Sequence, residues 1–253
     1  MIVTLLTDFG TADGYVAEMK GVLLALAAGT ALVDVTHEIP PGDVAEAAYV
    51  LDRTWRAFPE GTVHLAVVDP GVGSGRRALA AEAGGHRFVA PDNGLLSGVL
   101  RSHAARVVAL PVPPFAGPTF HGRDLFAPAA ARLAAGEPLS VLGPATGDPV
   151  LLEPPRLEAI GGDVVGEVVH VDRFGTLVTS MPGIAVAPGC AVRVGATSVP
   201  LRTTFADVAS GALVAFVGSG GMVEIAARDA RADTVLGAGR GAEVRAAARR
   251  GDR

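Results

Sequence analysis

The stretch Val67-Val68-Asp69-Pro70-Gly71-Val72-Gly73-Ser74-Gly75-Arg76-Arg77 carries an apolar β-branched run into a carboxylate, a glycine-rich loop and a pair of arginines. Proline donates no ladder hydrogen bond and fixes its own φ, so Asp69-Pro70 ends the strand. The glycines allow backbone angles and close approaches that a side chain would block. A carboxylate at the C-terminal end of a buried strand, facing an arginine across a tight loop, is a common way to build a polar site in an α/β fold. Taken alone, the same residues read equally well as a β-turn with a surface ion pair.

No phosphate-binding loop fits here. Gly71-Val72-Gly73-Ser74-Gly75 is not closed by Gly-Lys-Ser/Thr, and Ala78 to Gly85 is too short and glycine-broken for the helix of a dinucleotide fingerprint. The later runs Gly218-Ser219-Gly220-Gly221 and Gly237-Ala238-Gly239-Arg240-Gly241 fail the same tests.

Outward from this stretch the pattern is that of an α/β domain. Ile2 to Leu6 reads as a buried strand ending at Thr7-Asp8-Phe9-Gly10. Val16, Met19, Leu23 and Leu26 fall on one helical face that Gly29 closes, and Leu32 to Val35 is a second strand. A helix starting at Asp43 carries Val44, Ala47, Ala48, Leu51 and Trp55 in register, before the strand Thr62 to Val68. Fully apolar strands alternating with helices predict a parallel sheet covered on both faces. Short strands follow near 78–82, 87–90 and 107–110. A proline-rich loop from Pro111 to Pro118 then leads to His121 and an alanine-rich helix ending at Gly136.

The texture changes after Glu153-Pro154-Pro155. Short β-rich runs near 164–171, 177–179, 192–194, 212–217 and 222–226 predict a smaller antiparallel, barrel-like β domain with no helical stretch. The expected organisation is an α/β domain over residues 1–155 and a β domain over 163–253, joined through roughly 152–162.

Composition narrows the function. With 253 residues, 49% of them apolar but only 5% aromatic, the chain can bury a core built of Ala, Val and Leu. A net charge of −5 argues against nucleic acid as partner. The single cysteine, Cys190, excludes a disulfide framework and cysteine zinc sites, and the six histidines show no ligand spacing, so no metal is expected. The first residues, Met1 to Asp8, have no basic n-region and meet an acid too early for a signal peptide, so none is expected, and no apolar run approaches the ~18 residues of a membrane span. A soluble cytoplasmic protein, free of membrane association, is expected.

Four carboxylates sit where strands end or turns begin: Asp8, Asp13, Asp69 and Asp172. Asp8 and Asp69 should share the C-terminal edge of the sheet. Asp13 alone reads as a helix N-cap, and a lone His121 as structural. Together, however, Thr7-Asp8-Phe9-Gly10 with Asp13, Asp69-Pro70-Gly71-Val72-Gly73 with Arg76, Ala90-Pro91-Asp92-Asn93-Gly94-Leu95-Leu96, Phe120-His121-Gly122-Arg123-Asp124 and Asp172-Arg173-Phe174-Gly175 form an ordered set. It resembles the S-adenosyl-L-methionine (SAM) hydroxide adenosyltransferases, the adenosine-forming SAM hydrolases related to fluorinating and chlorinating enzymes. The resemblance covers nearly the whole chain.

That resemblance implies a homotrimer with active sites between subunits, SAM as substrate, no cofactor, and attack of water or hydroxide at ribose C5′ to release adenosine and L-methionine. It places the catalytic set on Asp69, Arg76 and His121. It puts the ribose hydroxyls on Asp8, the methionine end on Asp172 and Ser219, and aromatic positions at Phe174 and Phe205. Asp13 and Phe120 join the substrate-binding set. Two departures stand out: Thr176 where the family usually carries Asn, and Ala226-Ala227-Arg228-Asp229 in an adenine-contacting segment that often contains Asn. The halogenating relatives carry Tyr where Asp69 stands, so a halide-using SAM transferase is the second reading and a non-catalytic SAM- or adenosine-binding module the third. The chemistry is reasonable. The leaving group is a neutral thioether, and a dry site favours the meeting of hydroxide and sulfonium. A carboxylate of reference pKa about 3.9 is a feeble base, which suits Asp69 and Arg76 as an orienting pair. Whether His121 holds the water or takes its proton stays open.

Overall fold

The computed structural model describes residues 1–249; the last four residues of the expected β domain lie outside the described residues. The chain divides into two compact units, Met1–Leu152 and a second beginning at Glu153.

The first unit is built on six strands: β1 (Ile2–Thr7), β2 (Ala31–Thr36), β3 (Val63–Val67), β4 (Ala78–Ala83), β5 (His86–Pro91) and β6 (Ala105–Leu110). They lie in the order β2-β1-β3-β5-β4-β6. Pairing is parallel from β2 through β5, while β4 runs antiparallel to both of its neighbours. The sheet is therefore mixed, where the sequence pattern predicts a parallel one. The short Ala-rich run of β4 is joined to β5 only by Gly84 and Gly85, too few residues for a parallel crossover.

Alternation along the strands builds two cores. Val3 and Leu5 of β1, with Val63, Leu65 and Val67 of β3, pack against α1 (Tyr15–Leu26) and, downstream of the sheet, α4 (Ala127–Ala134). Leu6, Ala66, Val68 and Phe88 face α2 (Val44–Thr54) and α3 (Ser97–Ser102) on the other side. Leu26, assigned by periodicity to the buried face of α1, is 56% exposed, and that face ends at Leu23. Asp13 is not the α1 cap: Gly14 holds that position, with no side-chain cap bond. Asp43 does cap α2, its Oδ1 accepting the Glu46 N–H at 3.0 Å.

The second unit is antiparallel: β7 (Leu157–Ile160), β8 (Asp163–Val171), β9 (Leu177–Pro182), β10 (Ala191–Val194), β11 (Thr197–Pro200), β12 (Leu213–Val217), β13 (Met222–Ala227) and β14 (Glu243–Ala247). The path β11-β10-β14-β8-β9-β13-β12 is drawn towards closure by a bridge from Leu201 to Ala215, which gives the barrel-like form. Two expectations are corrected. The expected linker contains β7, an exposed strand turned onto β8 through Gly161-Gly162. A five-residue helix, α5 (Ala232–Leu236), follows β13, too short to leave a periodic signal. Among the described residues no helix is long and apolar enough to cross a membrane.

Candidate active site

Parallel pairing sets Thr7 of β1 beside Val67 of β3, so Asp8 and Asp69 leave the same edge of the sheet. Both line a cavity of about 690 Å³ with Phe9, Thr119, Phe120, His121 and Arg123. Asp8 Oδ2 accepts the Gly42 N–H at 2.7 Å, which ties the end of β1 to the turn before α2.

Asp69, Arg76 and His121 form one hydrogen-bonded set. Arg76 Nε donates to Asp69 Oδ1 at 2.8 Å, and Nη2 donates to Asp69 Oδ2 and to His121 Nδ1, the latter at 2.9 Å. The fork of a guanidinium suits this two-oxygen grip on a carboxylate. The Asp69 and Arg76 side chains are 6% and 10% exposed, and His121 is buried. Arg76 stands behind the other two, its guanidinium 5.1 Å from the Phe126 ring.

The loop between Asp69 and Arg76 depends on Gly73, whose φ of +76° and approach to the Pro118 carbonyl leave no room for a Cβ. That contact brings the proline-rich segment beside the catalytic loop. His121 itself opens a wide π-type turn, Gly122–Phe126, that runs into α4. Such turns are frequent at functional sites.

Arginine has only donors, so His121 Nδ1 is the acceptor of their bond and the neutral ring carries its proton on Nε2. Burial, followed by the Arg76 charge, holds the imidazole below its ordinary 6.5; the nearby Asp69 and Asp124 oppose this. Taking a second proton would place a cation against Arg76 and break their bond.

Tyr15, Glu18 and Arg123 also line this cavity and escaped the sequence reading. Phe9, Tyr15 and Phe120 form a triangle of edge-on rings, with centroids 5.2–6.0 Å apart. Arg123 lies over Phe120 and bridges Glu18 at 2.8 Å and Asp124 at 2.7 Å. The signal was available, since α1 starts just beyond Asp8 and its first turn must lie at the same sheet edge. Asp13, in contrast, is exposed and outside the lining of this cavity.

In the second unit Asp172, Phe174, Thr176, Phe205, Arg228 and Asp229 line a cavity of about 640 Å³. Asp172 Oδ1 accepts the N–H groups of Phe174 and Thr176 at 2.9 and 2.8 Å, so it also shapes its own turn. Phe174 is 76% exposed, and Phe205 leans on Phe216 at 4.7 Å between centroids. Ser219 sits exposed in the β12–β13 turn, outside this cavity's lining. Asp229 has a φ of +55°, a left-handed conformation that Asn and Asp tolerate best. Among the described residues no group of three or more His, Cys, Asp or Glu is placed to hold a metal ion.

This geometry can be set beside known proteins. The family model "SAM hydroxide adenosyltransferase N-terminal domain" matches residues 3–143, and its C-terminal counterpart matches 166–245. A (R)-S-adenosyl-L-methionine hydrolase of Thermus thermophilus is 43% identical, covering 95% of this chain and 97% of its own. One from Salinispora tropica is also 43% identical, with 96% of each chain covered. A fluorinase of Nocardia brasiliensis is 33% identical over 89% of each. Among solved structures, an uncharacterised conserved protein of Thermotoga maritima superposes with a TM-score of 0.89 at 33% identity, covering 99% of this chain and all of its own. A conserved hypothetical protein of Thermus thermophilus superposes at 0.82 with 43% identity, over 96% and 98%. Two family models spanning most of the sequence, near-full-length relatives and a shared fold agree with the motif order: the chain belongs to the SAM hydroxide adenosyltransferase family.

Proposed function

We propose that this protein hydrolyses SAM to adenosine and L-methionine, and that Asp69, joined through Arg76 to His121 at the wall of one cavity, is the observation that carries the reading. The oxygen nucleophile attacks ribose C5′ as the C5′–S bond breaks, and the bonding pair leaves on a neutral thioether. No acid and no cofactor are required. Hydroxide donates its O–H to Asp69 and accepts the Nε2–H of His121, which aims a lone pair at carbon. Arg76 acts through both partners, holding them at fixed spacing. Asp69 is gripped at both oxygens and His121 Nδ1 is occupied, so neither takes the proton. The nucleophile therefore enters as hydroxide drawn from solution.

The same carboxylate decides against halide. A fluoride or chloride ion has no proton to give Asp69 and would be repelled by it, whereas the O–H of hydroxide turns that charge into a hydrogen bond. A non-catalytic binding module would have no use for the buried Asp69–Arg76–His121 set.

Three relatives at 41–43% identity are named as hydrolases of the (R) sulfonium epimer, and we extend that stereochemistry to this chain. The test is incubation with an epimeric SAM mixture in halide-free buffer, followed by chromatography. Adenosine and methionine should accumulate as the (R) epimer disappears first; a 5′-halo-nucleoside after halide addition, or untouched SAM, overturns the reading. The full proposal includes a cytoplasmic homotrimer with its sites at subunit interfaces, which sedimentation checks. The lone cysteine fits a reducing compartment.

In this reading Asp8 accepts the ribose hydroxyls, with Asp69, Arg76 and His121 as the catalytic set. Asp13, Phe120, Asp172, Phe174, Phe205 and Ser219 complete the substrate contacts. A charge-assisted hydrogen bond contributes about 1.5–3 kcal/mol. Asp8→Ala should therefore weaken SAM binding by roughly one to two powers of ten in calorimetry. Unchanged affinity in a folded variant removes Asp8 from the site.

A further inference from the structure

The turn after β5, Asp92-Asn93-Gly94, lies at the sheet edge between the two ends of the catalytic loop. β5 is flanked by β3, which delivers Val68 and Asp69, and by β4, which follows Arg76 and Arg77. Asn93 Nδ2 donates to the Val68 carbonyl at 2.9 Å, one residue before Asp69. Asp92 Oδ2 accepts Arg77 Nε at 2.7 Å, and the Asp92 N–H donates to the Arg77 carbonyl at 2.9 Å, one residue after Arg76. Arg77 is gripped further by Thr146 and Asp148, and Asp92 Oδ1 takes the Val150 N–H at 2.7 Å.

A surface turn does not need a buried charge. Yet the Asp92 side chain is only 2% exposed, paired with an arginine whose neighbour carries the catalytic guanidinium. The loop between these anchors holds Gly71, Gly73 and Gly75, so it has little stiffness of its own. Its geometry must be imposed at its ends.

We propose that Asp92 and Asn93 are positioning residues that set the Asp69–Arg76 spacing, Asn93 through the Val68 carbonyl and Asp92 through Arg77. The kinetic part of the test rests on the SAM-hydrolysis reading; the spectroscopic part does not. Asn93→Asp is the informative variant. A carboxylate still accepts the Leu95 N–H that Asn93 Oδ1 takes at 3.3 Å, so the local turn survives, but it has no N–H for Val68. Asp92→Asn likewise keeps an acceptor for the Val150 N–H while removing the charge that holds Arg77.

Misplacement of a reacting group by about 1 Å can cost about 10²-fold in rate. Each variant should therefore lose about 10²-fold in kcat with KM for SAM and the melting temperature little changed. In ¹⁵N NMR the Arg76 Nε–H resonance, assigned through Arg76→Lys, should shift in both variants. A purely local role for Asn93 predicts wild-type kcat and an unmoved Arg76 resonance in Asn93→Asp, and that result overturns the proposal. If the wild type leaves SAM untouched, the functional reading fails while the resonance still decides the positioning claim. If one variant does not fold, the other decides by the same two measurements.

Discussion

Arg76→Lys is expected to lower kcat by about 10²–10³-fold, the cost typical of removing one preorganised donor, while SAM affinity stays near wild type because Asp8 is untouched. Lysine keeps the charge but cannot donate through a planar fork to both Asp69 oxygens and to His121 Nδ1 at once. The retained charge keeps the buried Asp69 partnered, so the variant should fold. Steady-state kinetics with calorimetric SAM binding separate the two quantities. The pH dependence tests the same geometry. Because burial and the Arg76 charge hold His121 below 6.5, the ring is neutral above that value and contributes no inflection there. With hydroxide drawn from solution, log kcat should climb with a slope of about one from about pH 7 to about pH 9. His121→Gln should lower that line without bending it. A wild-type plateau above an apparent pKa near 6.5, abolished in His121→Gln, would instead make His121 the proton acceptor.

The second large effect is acid instability of the first unit, and its source is away from the active site. His64 Nδ1 meets the Thr4 hydroxyl at 2.8 Å, its Nε2 meets His86 Nδ1 at 3.1 Å, and its ring stacks on Phe88. Burial, with a smaller contribution from the His86 charge, pushes the His64 pKa down to about 3. His86 is lowered as well, chiefly by burial and against the pull of Glu60. The sign follows from proton counting. Above the unfolded value of 6.5 neither state binds the proton, and stability is whole. As pH falls from there towards 3, only the unfolded chain takes it up, so stability drains away. The complete interval corresponds to about 4–5 kcal/mol, with about 3 kcal/mol lost by about pH 4. That is a large share of the 5–15 kcal/mol typical of a folded domain. Urea unfolding followed by circular dichroism across this range should show the decline. His64→Gln should be less stable at neutral pH but flatter with acid. Equal pH slopes in the two proteins remove His64 as the source.

The strands and the site were legible in the sequence to different degrees. Apolar runs ending in carboxylates located β1 and β3, and parallel pairing then brought Asp8 and Asp69 to one edge. The motif order, read as a set, pointed to Arg76 and His121 where each residue alone did not. Strand direction was hidden, because the Ala-rich run of β4 has the same period in either orientation. The exposed β7 and the five-residue α5 lie below what periodicity detects. Tyr15, Glu18 and Arg123 were missed because they line the cavity from helical or loop positions whose spacing resembles an ordinary solvated face. The Asp92-Asn93 turn was visible as a motif, but its bonds to Val68 and Arg77 cross between strands and exist only in the fold.

The antiparallel β4 also has a bearing on how the chain assembles. Ala83 pairs with His86 across a two-glycine turn, whereas Val3 of β1 must find Val63 of β3. The β4–β5 hairpin loses the least loop entropy of any pairing in the sheet, and local pairings of this kind close fast. Arg77 and Asp92 flank the open end of that hairpin, where Ala78 pairs with Pro91. The half of the scaffold that carries Arg76 is thus encoded in a short contiguous segment, able to take shape before the long-range strand that brings Asp69 has found its place.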